Sequence, residues 1–224
     1  MKRLVNITCP VFALFALACS AHGQQAPDSI SIRVITTFDY PGTGNLTGPQ
    51  KINDSGDIVG FYEDSNGVTR GFIRFANGNF GAPIVAPNDT GNLTIASCVN
   101  NSRLIGGFYN LSDGTSHGFF FSNGNFSEFD VPGSTGTSVL GVNNVGDFAG
   151  GFTDAANNNL GFFSVGGTIR PVEVPRAVFT LAYQLNSSNQ VVGYYLDSLG
   201  VHGFGRGANG GVALSDRSAG LSLH

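Results

Sequence analysis

Residues 52–72 read INDSGDIVGFYEDSNGVTRGF, a polar turn followed by apolar stretches that end in Gly-Phe. Similar phrases return as VNNSRLIGGFYNLSDGTSHGF at 99–119, VNNVGDFAGGFTDAANNNLGF at 142–162 and LNSSNQVVGYYLDSLGVHGF at 185–204. The opening Asn recurs at spacings of 47, 43 and 43 residues, with a Gly seven residues after it each time. These anchors are Asn53, Asn100, Asn143 and Asn186, with Gly60, Gly107, Gly150 and Gly193. Repetition at this period indicates one supersecondary unit for each phrase.

Turn signals divide the first unit into four predicted strands, at 46–52, 58–62, 71–75 and 80–86. Asn77-Gly78 before the last of them is a strong hairpin signal, because both residues accept the positive φ of a type I′ turn. Pro87 ends the fourth strand by removing a backbone donor. Four antiparallel strands in roughly 40–50 residues is the spacing of a propeller blade.

The predicted fold is all-β and β-propeller-like, with four blades of about four antiparallel strands each. Residues 29–42, SISIRVITTFDYPG, match the fourth strand and exit loop of a unit, and the last unit lacks this ending. The N-terminal strand is therefore predicted to close the last blade and protect its edge. The alternatives are an open stack of β-sheets and a larger ring completed by a second chain. The predicted boundaries are 1–23 signal peptide, 24–37 N-terminal segment and closing strand, 38–210 repeat domain and 211–224 C-terminal tail.

The first 23 residues have the pattern of a secretory signal peptide. Lys2 and Arg3 precede an apolar stretch at 11–18 that is too short to span a bilayer, and Ala21-His22-Gly23 offers small residues for cleavage. A lipoprotein signal with lipidation at Cys19 is the alternative, although Ala16 stands where the lipobox favours Leu. The sequence thus predicts a secreted protein, extracellular or periplasmic.

Charge and cysteine content exclude several classes of protein. Removing Lys2 and Arg3 from the 11 basic residues leaves 9 against 15 acidic ones, and no basic run is present. This argues against nucleic acid and anionic membranes as partners, and no membrane span is predicted. Once the signal is removed, Cys98 has no cysteine to pair with, and its apolar surroundings LTIASCVN predict a core residue rather than a reactive thiol.

The recurring phrases resemble a known bacterial extracellular repeat family, the HAF repeats, named for a His-Ala-Phe-like motif. The motif reads HGF at 117–119 and at 202–204, and Arg70 and Leu160 replace the His in the other two units. FDVPG at 129–133 and FDYPG at 38–42 add to the resemblance, which covers about residues 38–206. It implies an exported bacterial repeat protein of unassigned activity, and it carries over no catalytic residues.

Metal binding is a weaker interpretation of the repeated polar residues than structure. Asn53, Asp54 and Asp57 offer calcium ligands, but their spacing departs from an EF-hand and the carboxylates are lost in units two and four. Turn formation explains the Asn and Gly that persist. His117 and His202 have no second ligand nearby in sequence, so we predict that they orient a strand through backbone hydrogen bonds. No cofactor is predicted, with calcium as the alternative.

A non-catalytic binding module or scaffold is the predicted function. Glu63, Glu128 and Glu173 fall at unrelated repeat positions, and no nucleophile elbow or phosphate loop appears. The expected partner is an extracellular glycan, peptide or envelope protein. The alternatives are a propeller-type carbohydrate-active hydrolase or lyase and a purely structural envelope or matrix protein. The alternative for the four candidate tyrosines is burial in the core between blades. The candidate ligand-binding residues are Tyr62, Tyr109, Tyr194, Tyr195, His117 and His202.

Overall fold

The structure is a computed structural model of the 224-residue chain, and it describes residues 36–42, 46–207 and 212–214. Across these ranges the chain is all β, with fifteen strands and no helix. The signal-peptide and lipidation predictions lie outside the described residues, as does most of the predicted closing strand. No helix in the described part is both long and apolar enough to cross a membrane.

Each repeat unit forms a sheet whose strands pair antiparallel in chain order. Unit 1 contains β1 (Leu46–Ile52), β2 (Ile58–Glu63) and β3 (Thr69–Arg74). Unit 2 contains β4 (Thr94–Val99), β5 (Ile105–Asn110), β6 (Ser116–Ser122) and β7 (Asn125–Phe129). Unit 3 contains β8 (Ser134–Val142), β9 (Phe148–Asp154), β10 (Asn159–Val165) and β11 (Thr168–Val172). Unit 4 contains β12 (Phe179–Leu185), β13 (Val191–Asp197), β14 (Gly200–Arg206) and β15 (Val212–Leu214). The all-β prediction is confirmed, and a single parallel bridge from Asn159 to Phe179 joins the last two sheets.

The fourth strand predicted at 80–86 is wrong as a regular element. Only two isolated bridges, Arg74 to Phe80 and Gly71 to Ile84, tie this segment to β3. Pro83 lacks the backbone N–H that a ladder needs, so pairing is interrupted between the bridges. The segment still occupies the edge position of the sheet in unit 1.

A fourth strand in the sheet of unit 4 comes from residues that were predicted to belong to the C-terminal tail. β15 pairs antiparallel with β14 in the register Phe204 to Leu214, so this edge is already occupied by residues 212–214. Residues 212–214, which were assigned to the C-terminal tail, therefore belong to the sheet of unit 4. The predicted N-terminal closing strand lies mostly outside the described residues and stays a prediction. The sequence carries the signal, since Asn209-Gly210 is another hairpin dipeptide just before this strand.

The recurring Gly and the recurring Phe of each phrase are cross-strand partners. The four pairs are Gly60–Phe72, Gly107–Phe119, Gly150–Phe162 and Gly193–Phe204. In every unit the Phe is buried, and in units 2, 3 and 4 its ring lies within 3 Å of where a β-carbon on the Gly would stand. The repeat spacing therefore encodes a packing relation between two strands, which explains why both residues persist.

The recurring Asn closes its own polar turn. In unit 2 the Asn100 side-chain oxygen accepts hydrogen bonds from the backbone N–H of Ser102 and Leu104, at 3.1 and 2.9 Å. The other three units repeat this pattern. The residue three positions after the Asn always has positive φ and is Gly56, Arg103, Gly146 or Asn189. Turn formation, as predicted, is what the polar phrase encodes.

The amide groups of these asparagines also link one unit to the next. The amide nitrogen of Asn53 donates to the carbonyl of Asn100 at 3.2 Å, and Asn100 donates to Asn143 at 3.0 Å. Asn143 in turn donates to Asn186 at 3.1 Å. We call this series the asparagine ladder. Its first three members are buried and Asn186 is exposed, so the ladder connects all four units and ends at the last.

Apolar cores lie between successive units rather than within one sheet. One core joins Val59, Ile73 and Ile84 of unit 1 to Ile105 and Phe119 of unit 2. A second core joins units 2 and 3, and a third joins units 3 and 4. Each sheet thus buries its faces against its neighbours, as a repeat architecture requires.

The two terminal units differ in how their outer faces are covered. Phe38 and Tyr40 pack on unit 1, where the Tyr40 ring stacks on Tyr62 at 3.7 Å between centroids. In unit 4, by contrast, Val192 is 53% exposed at the position where Val59 is fully buried in unit 1. The first strands of units 1 and 4 still meet, because the Lys51 ammonium donates to the Gln184 side-chain oxygen at 2.6 Å.

Candidate functional site

The candidate Tyr and His residues are brought together by strand pairing. Tyr109 on β5 pairs with His117 on β6, and Tyr195 on β13 pairs with His202 on β14. The imidazoles stack on the phenol rings at 5.5 and 5.0 Å between centroids. In units 1 and 3 the corresponding pairs are Tyr62–Arg70 and Phe152–Leu160. Tyr194 lies one residue off this row, is half-buried and stacks on Phe179.

The phenol rings themselves are buried, as the core interpretation predicted. Tyr62, Tyr109 and Tyr195 are 4%, 3% and 5% exposed. Burial, with Tyr40 beside it, raises the pKa of Tyr62 to about 12. These rings have no free face on which a sugar could stack, so recognition must use other groups.

Unit 2 adds two carboxylates to its Tyr–His pair. Glu128 lies on β7, and Asp130 follows the end of that strand. Gly118 pairs with Phe129, which sets His117 opposite Asp130. The His117 Nδ1 atom is 2.8 Å from Asp130 Oδ2, and the Tyr109 hydroxyl donates to Glu128 Oε2. Ligating atoms of His117, Glu128 and Asp130 all lie within 4.8 Å of one another.

The groups around this cluster hold its side chains in place. Burial, followed by the Glu128 carboxylate, raises the pKa of Tyr109, so the phenol stays protonated and serves as a donor. The Thr115 hydroxyl lies 3.5 Å from His117 Nε2. Asp130 Oδ1 is enclosed and has no hydrogen-bond partner among the described residues. The cluster therefore combines an imidazole, two carboxyl groups and one unused acceptor atom.

In the described parts of units 1 and 4, the residue at the position of His117 contacts a single carboxylate. His202 Nε2 is 3.1 Å from Asp197 in unit 4, and Arg70 forms an ion pair with Asp64 at 2.9 Å in unit 1. Asp197 also accepts a hydrogen bond from the Leu199 N–H. This bond, and after it the bond from His202, lowers the pKa of Asp197. The prediction that both histidines orient a strand through backbone hydrogen bonds is therefore wrong. Their ring nitrogens face carboxylates, because a neighbouring strand or turn places an Asp opposite each one.

The strand register that brings His117 close to Glu128 and Asp130 can be derived from the sequence of the hairpin between them. Asn123-Gly124 forms a two-residue hairpin, so Ser122 pairs with Asn125, and counting outward puts residue 117 opposite residue 130. Residues 128 and 130 then share one face of the strand with a two-residue period. Asp130 was not predicted as a site residue, because the FDVPG motif at 129–133 was interpreted as the exit loop of the unit.

The residues of the polar turn are occupied by structural contacts. The Asn53 oxygen accepts from two turn N–H groups, and Asp54 accepts from the Asn101 amide at 2.7 Å. Asp57 is 1% exposed and binds the Arg103 guanidinium at 2.7 Å across the boundary between units 1 and 2. The oxygens that suggested calcium ligands therefore accept hydrogen bonds within the turn and from the next unit. Turn formation explains these residues better than a calcium site does.

Asp57 makes the stability of the fold depend on pH in the acid range. The Arg103 hydrogen bond holds the pKa of Asp57 below its usual value, helped by the Ala76 N–H and the Asn53 amide and opposed by burial. Since the folded-state pKa lies below the unfolded value of about 3.9, Asp57 contributes stability above that value. The contribution is lost as the pH falls through the folded-state pKa.

We expect Asp57→Asn to unfold at a lower urea concentration than the wild type near neutral pH. The difference in unfolding free energy should narrow below about pH 4, where the wild-type carboxylate gains its proton. Urea titrations at a series of pH values measure this directly. A difference that persists unchanged through the acid range would contradict the role assigned to Asp57.

Cys98 lies in the core, as predicted. It is 1% exposed, and burial raises the pKa of its thiol to about 12, so the reactive thiolate is disfavoured. Of the three glutamates considered for hydrolysis, Glu128 is the one that the structure places in a cluster of titratable groups.

The similarity of this chain to known proteins is structural and distant. No family model matches the chain, and no curated protein matches it. Among solved structures, the selenomethionine-substituted virginiamycin B lyase from Staphylococcus aureus is similar at a TM-score of 0.39 and 11% identity. The match covers 78% of this chain and 71% of the lyase chain.

Proposed function

We propose that this chain is an exported repeat scaffold that binds a ligand in the bacterial envelope or extracellular space, without catalysis. The observation that carries the proposal is the division of polar residues into two groups. The recurring ones are used in turns and in the asparagine ladder, which hold the units together. The cluster of His117, Glu128 and Asp130 does not recur, and it lies on the outer strands of unit 2.

This cluster is suited to recognition on a rigid scaffold. Glu128 is exposed, and the side chains of His117 and Asp130 are 25% and 33% exposed. Beyond Asp130 the chain enters a cleft of about 360 Å³, lined by Val131, Pro132, Phe152 and neighbours from unit 3. An apolar cleft beside fixed polar groups is a common arrangement for ligand binding. The expected ligand is a glycan, a peptide or an envelope protein.

For the arrangement of the units we propose a four-bladed propeller in preference to an open stack. The hydrogen bond from Lys51 to Gln184 supports it, because it joins the first strands of units 1 and 4. In a propeller these innermost strands lie around the axis. Among the described residues, the apolar cores join units 1 to 2, 2 to 3 and 3 to 4, and Val192 of unit 4 is exposed.

The binding proposal is tested with the purified chain on a glycan array and in pull-downs from bacterial envelope extract. We expect Glu128→Gln combined with Asp130→Asn to weaken capture at least about tenfold, equivalent to about 1.4 kcal/mol. His202→Ala is the matched control, since it removes the corresponding imidazole from unit 4, and it should leave capture unchanged. Capture by the double variant equal to that of the wild type would contradict the proposal. So would the absence of any ligand captured by the wild-type chain.

A hydrolase or lyase acting on carbohydrate is the second candidate. The convergence of Glu128 and Asp130 favours it, because glycosidases place two carboxylates on either side of the scissile bond. Incubating each captured glycan with the wild-type chain and analysing the products by mass spectrometry separates the two functions. Turnover that the double variant loses would replace the binding proposal with this one.

A further inference from the structure

We propose that His117, Glu128 and Asp130 form a binding site for a divalent transition-metal ion of the Zn²⁺ class. The inference is independent of the ligand proposed above, since it concerns only this cluster and the ion. The three side chains lie on adjacent outer strands of unit 2, and their ligating atoms are within 4.8 Å of one another.

The donor set matches the preferences of such an ion. One imidazole nitrogen and two carboxylate oxygens are ligands that Zn²⁺ accepts, and three protein ligands leave a fourth position open to water or a substrate. The cluster also places two carboxylates close to each other and to one imidazole. A bound cation would neutralise their mutual repulsion.

Asp130 provides the most direct indication of an absent partner. Its Oδ1 atom is enclosed and accepts no hydrogen bond from the described residues, although its Oδ2 atom faces His117. Enclosed polar atoms are nearly always paired, so an unpaired carboxylate oxygen requires an explanation. A cation held by both carboxylate oxygens of Asp130 would satisfy it.

The side chains of Thr115 and Tyr109 contact two of the proposed metal ligands and orient them. A histidine that binds a metal through Nδ1 carries its proton on Nε2, and the Thr115 hydroxyl is 3.5 Å from His117 Nε2. The Tyr109 hydroxyl donates to Glu128 and restricts its carboxylate. Such contacts orient ligands and typically change metal affinity about 10- to 100-fold when removed.

The other units serve as internal controls because they lack the full set. Unit 4 has His202 with Asp197, but Leu214 stands in the register position of Glu128, opposite the recurring Phe. Unit 3 has Glu173 at the position of Asp130, but Leu160 replaces the histidine. A site of three ligands is therefore confined to unit 2 within the described repeats.

The test is a metal titration of the untagged chain after treatment with EDTA and removal of the chelator. We expect isothermal titration with ZnCl₂ to give one site per chain that Glu128→Gln and Asp130→Asn each weaken at least about tenfold. Co²⁺ should give visible absorption bands that the same variants lose. His202→Ala should bind as the wild type does.

Both ligand variants are conservative changes at accessible positions, so their fold can be checked by circular dichroism before titration. Absence of a site in the folded wild type would overturn the proposal. It would also be overturned if Glu128→Gln, Asp130→Asn and His202→Ala all bound Zn²⁺ with the affinity of the wild type. The readout is the metal itself, so loss of ligand capture in the earlier experiment does not affect it.

Discussion

Asn100→Ala is expected to lower the free energy of unfolding by about 3 kcal/mol. The variant loses three hydrogen bonds that join the Asn100 side chain to backbone groups, each contributing about 1 kcal/mol. The buried side chain accepts from Ser102 and Leu104 within its turn and donates to the Asn143 carbonyl in the next unit. Removing it therefore loosens both the turn and the connection between units 2 and 3. Urea denaturation followed by circular dichroism measures the loss. The melting temperature should fall by about 6–12 °C for a chain of this size.

Asn186→Ala is the matched control at the end of the asparagine ladder. This residue closes its turn in the same way, through Ser188 and Gln190, but among the described residues its amide donates to the Gln190 side chain and not to another unit. It is also exposed, so water can replace its hydrogen bonds, and we expect a loss of about 1 kcal/mol. Equal losses for the two variants would mean that the bond between units contributes nothing.

Gly193→Ala is expected to destabilise the fold by about 3 kcal/mol or more, because a β-carbon at this position overpacks the sheet. The added carbon would stand 2.0 Å from the Leu181 carbonyl oxygen and 2.7 Å from the Phe204 ring. Neither the backbone nor a buried ring can move aside without disturbing β12 and β14. A loss of cooperative thermal unfolding is the expected result.

Gly205→Ala tests whether this effect comes from space rather than from glycine itself. Gly205 lies on β14, the strand that pairs with the strand of Gly193, and an added β-carbon would meet nothing within 4 Å. We expect a change of at most about 0.5 kcal/mol. A large loss from Gly205→Ala, or a negligible one from Gly193→Ala, would show that the Gly–Phe packing is not the reason for the recurrence.

Local chemistry explains which parts of the fold the sequence could predict. The boundaries of β1 were predicted as residues 46–52, because the polar turn at Asn53 follows directly. The pairing of β6 with β7 depends on Asn123-Gly124, a two-residue turn that sets the register by itself. Both signals act over a few residues, so neighbouring sequence suffices to interpret them.

The wrong predictions concern which segments pair at the edges of sheets. Residues 212–214 were assigned to the C-terminal tail, yet they pair with β14 at the edge of the unit 4 sheet. The segment at 80–86 had the apolar residues of a strand, but Pro83 prevented a continuous ladder. Edge pairing depends on which segment reaches an unpaired strand, and composition does not decide this.

By itself the sequence determined the four units, their turns and their strands, because Asn, Gly and hairpin dipeptides impose backbone conformation locally. Only the tertiary structure decided what these residues do between units. It paired each Gly with its Phe across two strands, and it linked Asn53, Asn100, Asn143 and Asn186 into one ladder. It also brought His117, Glu128 and Asp130 together across β6 and β7, because strand pairing places residues next to each other that are distant along the chain.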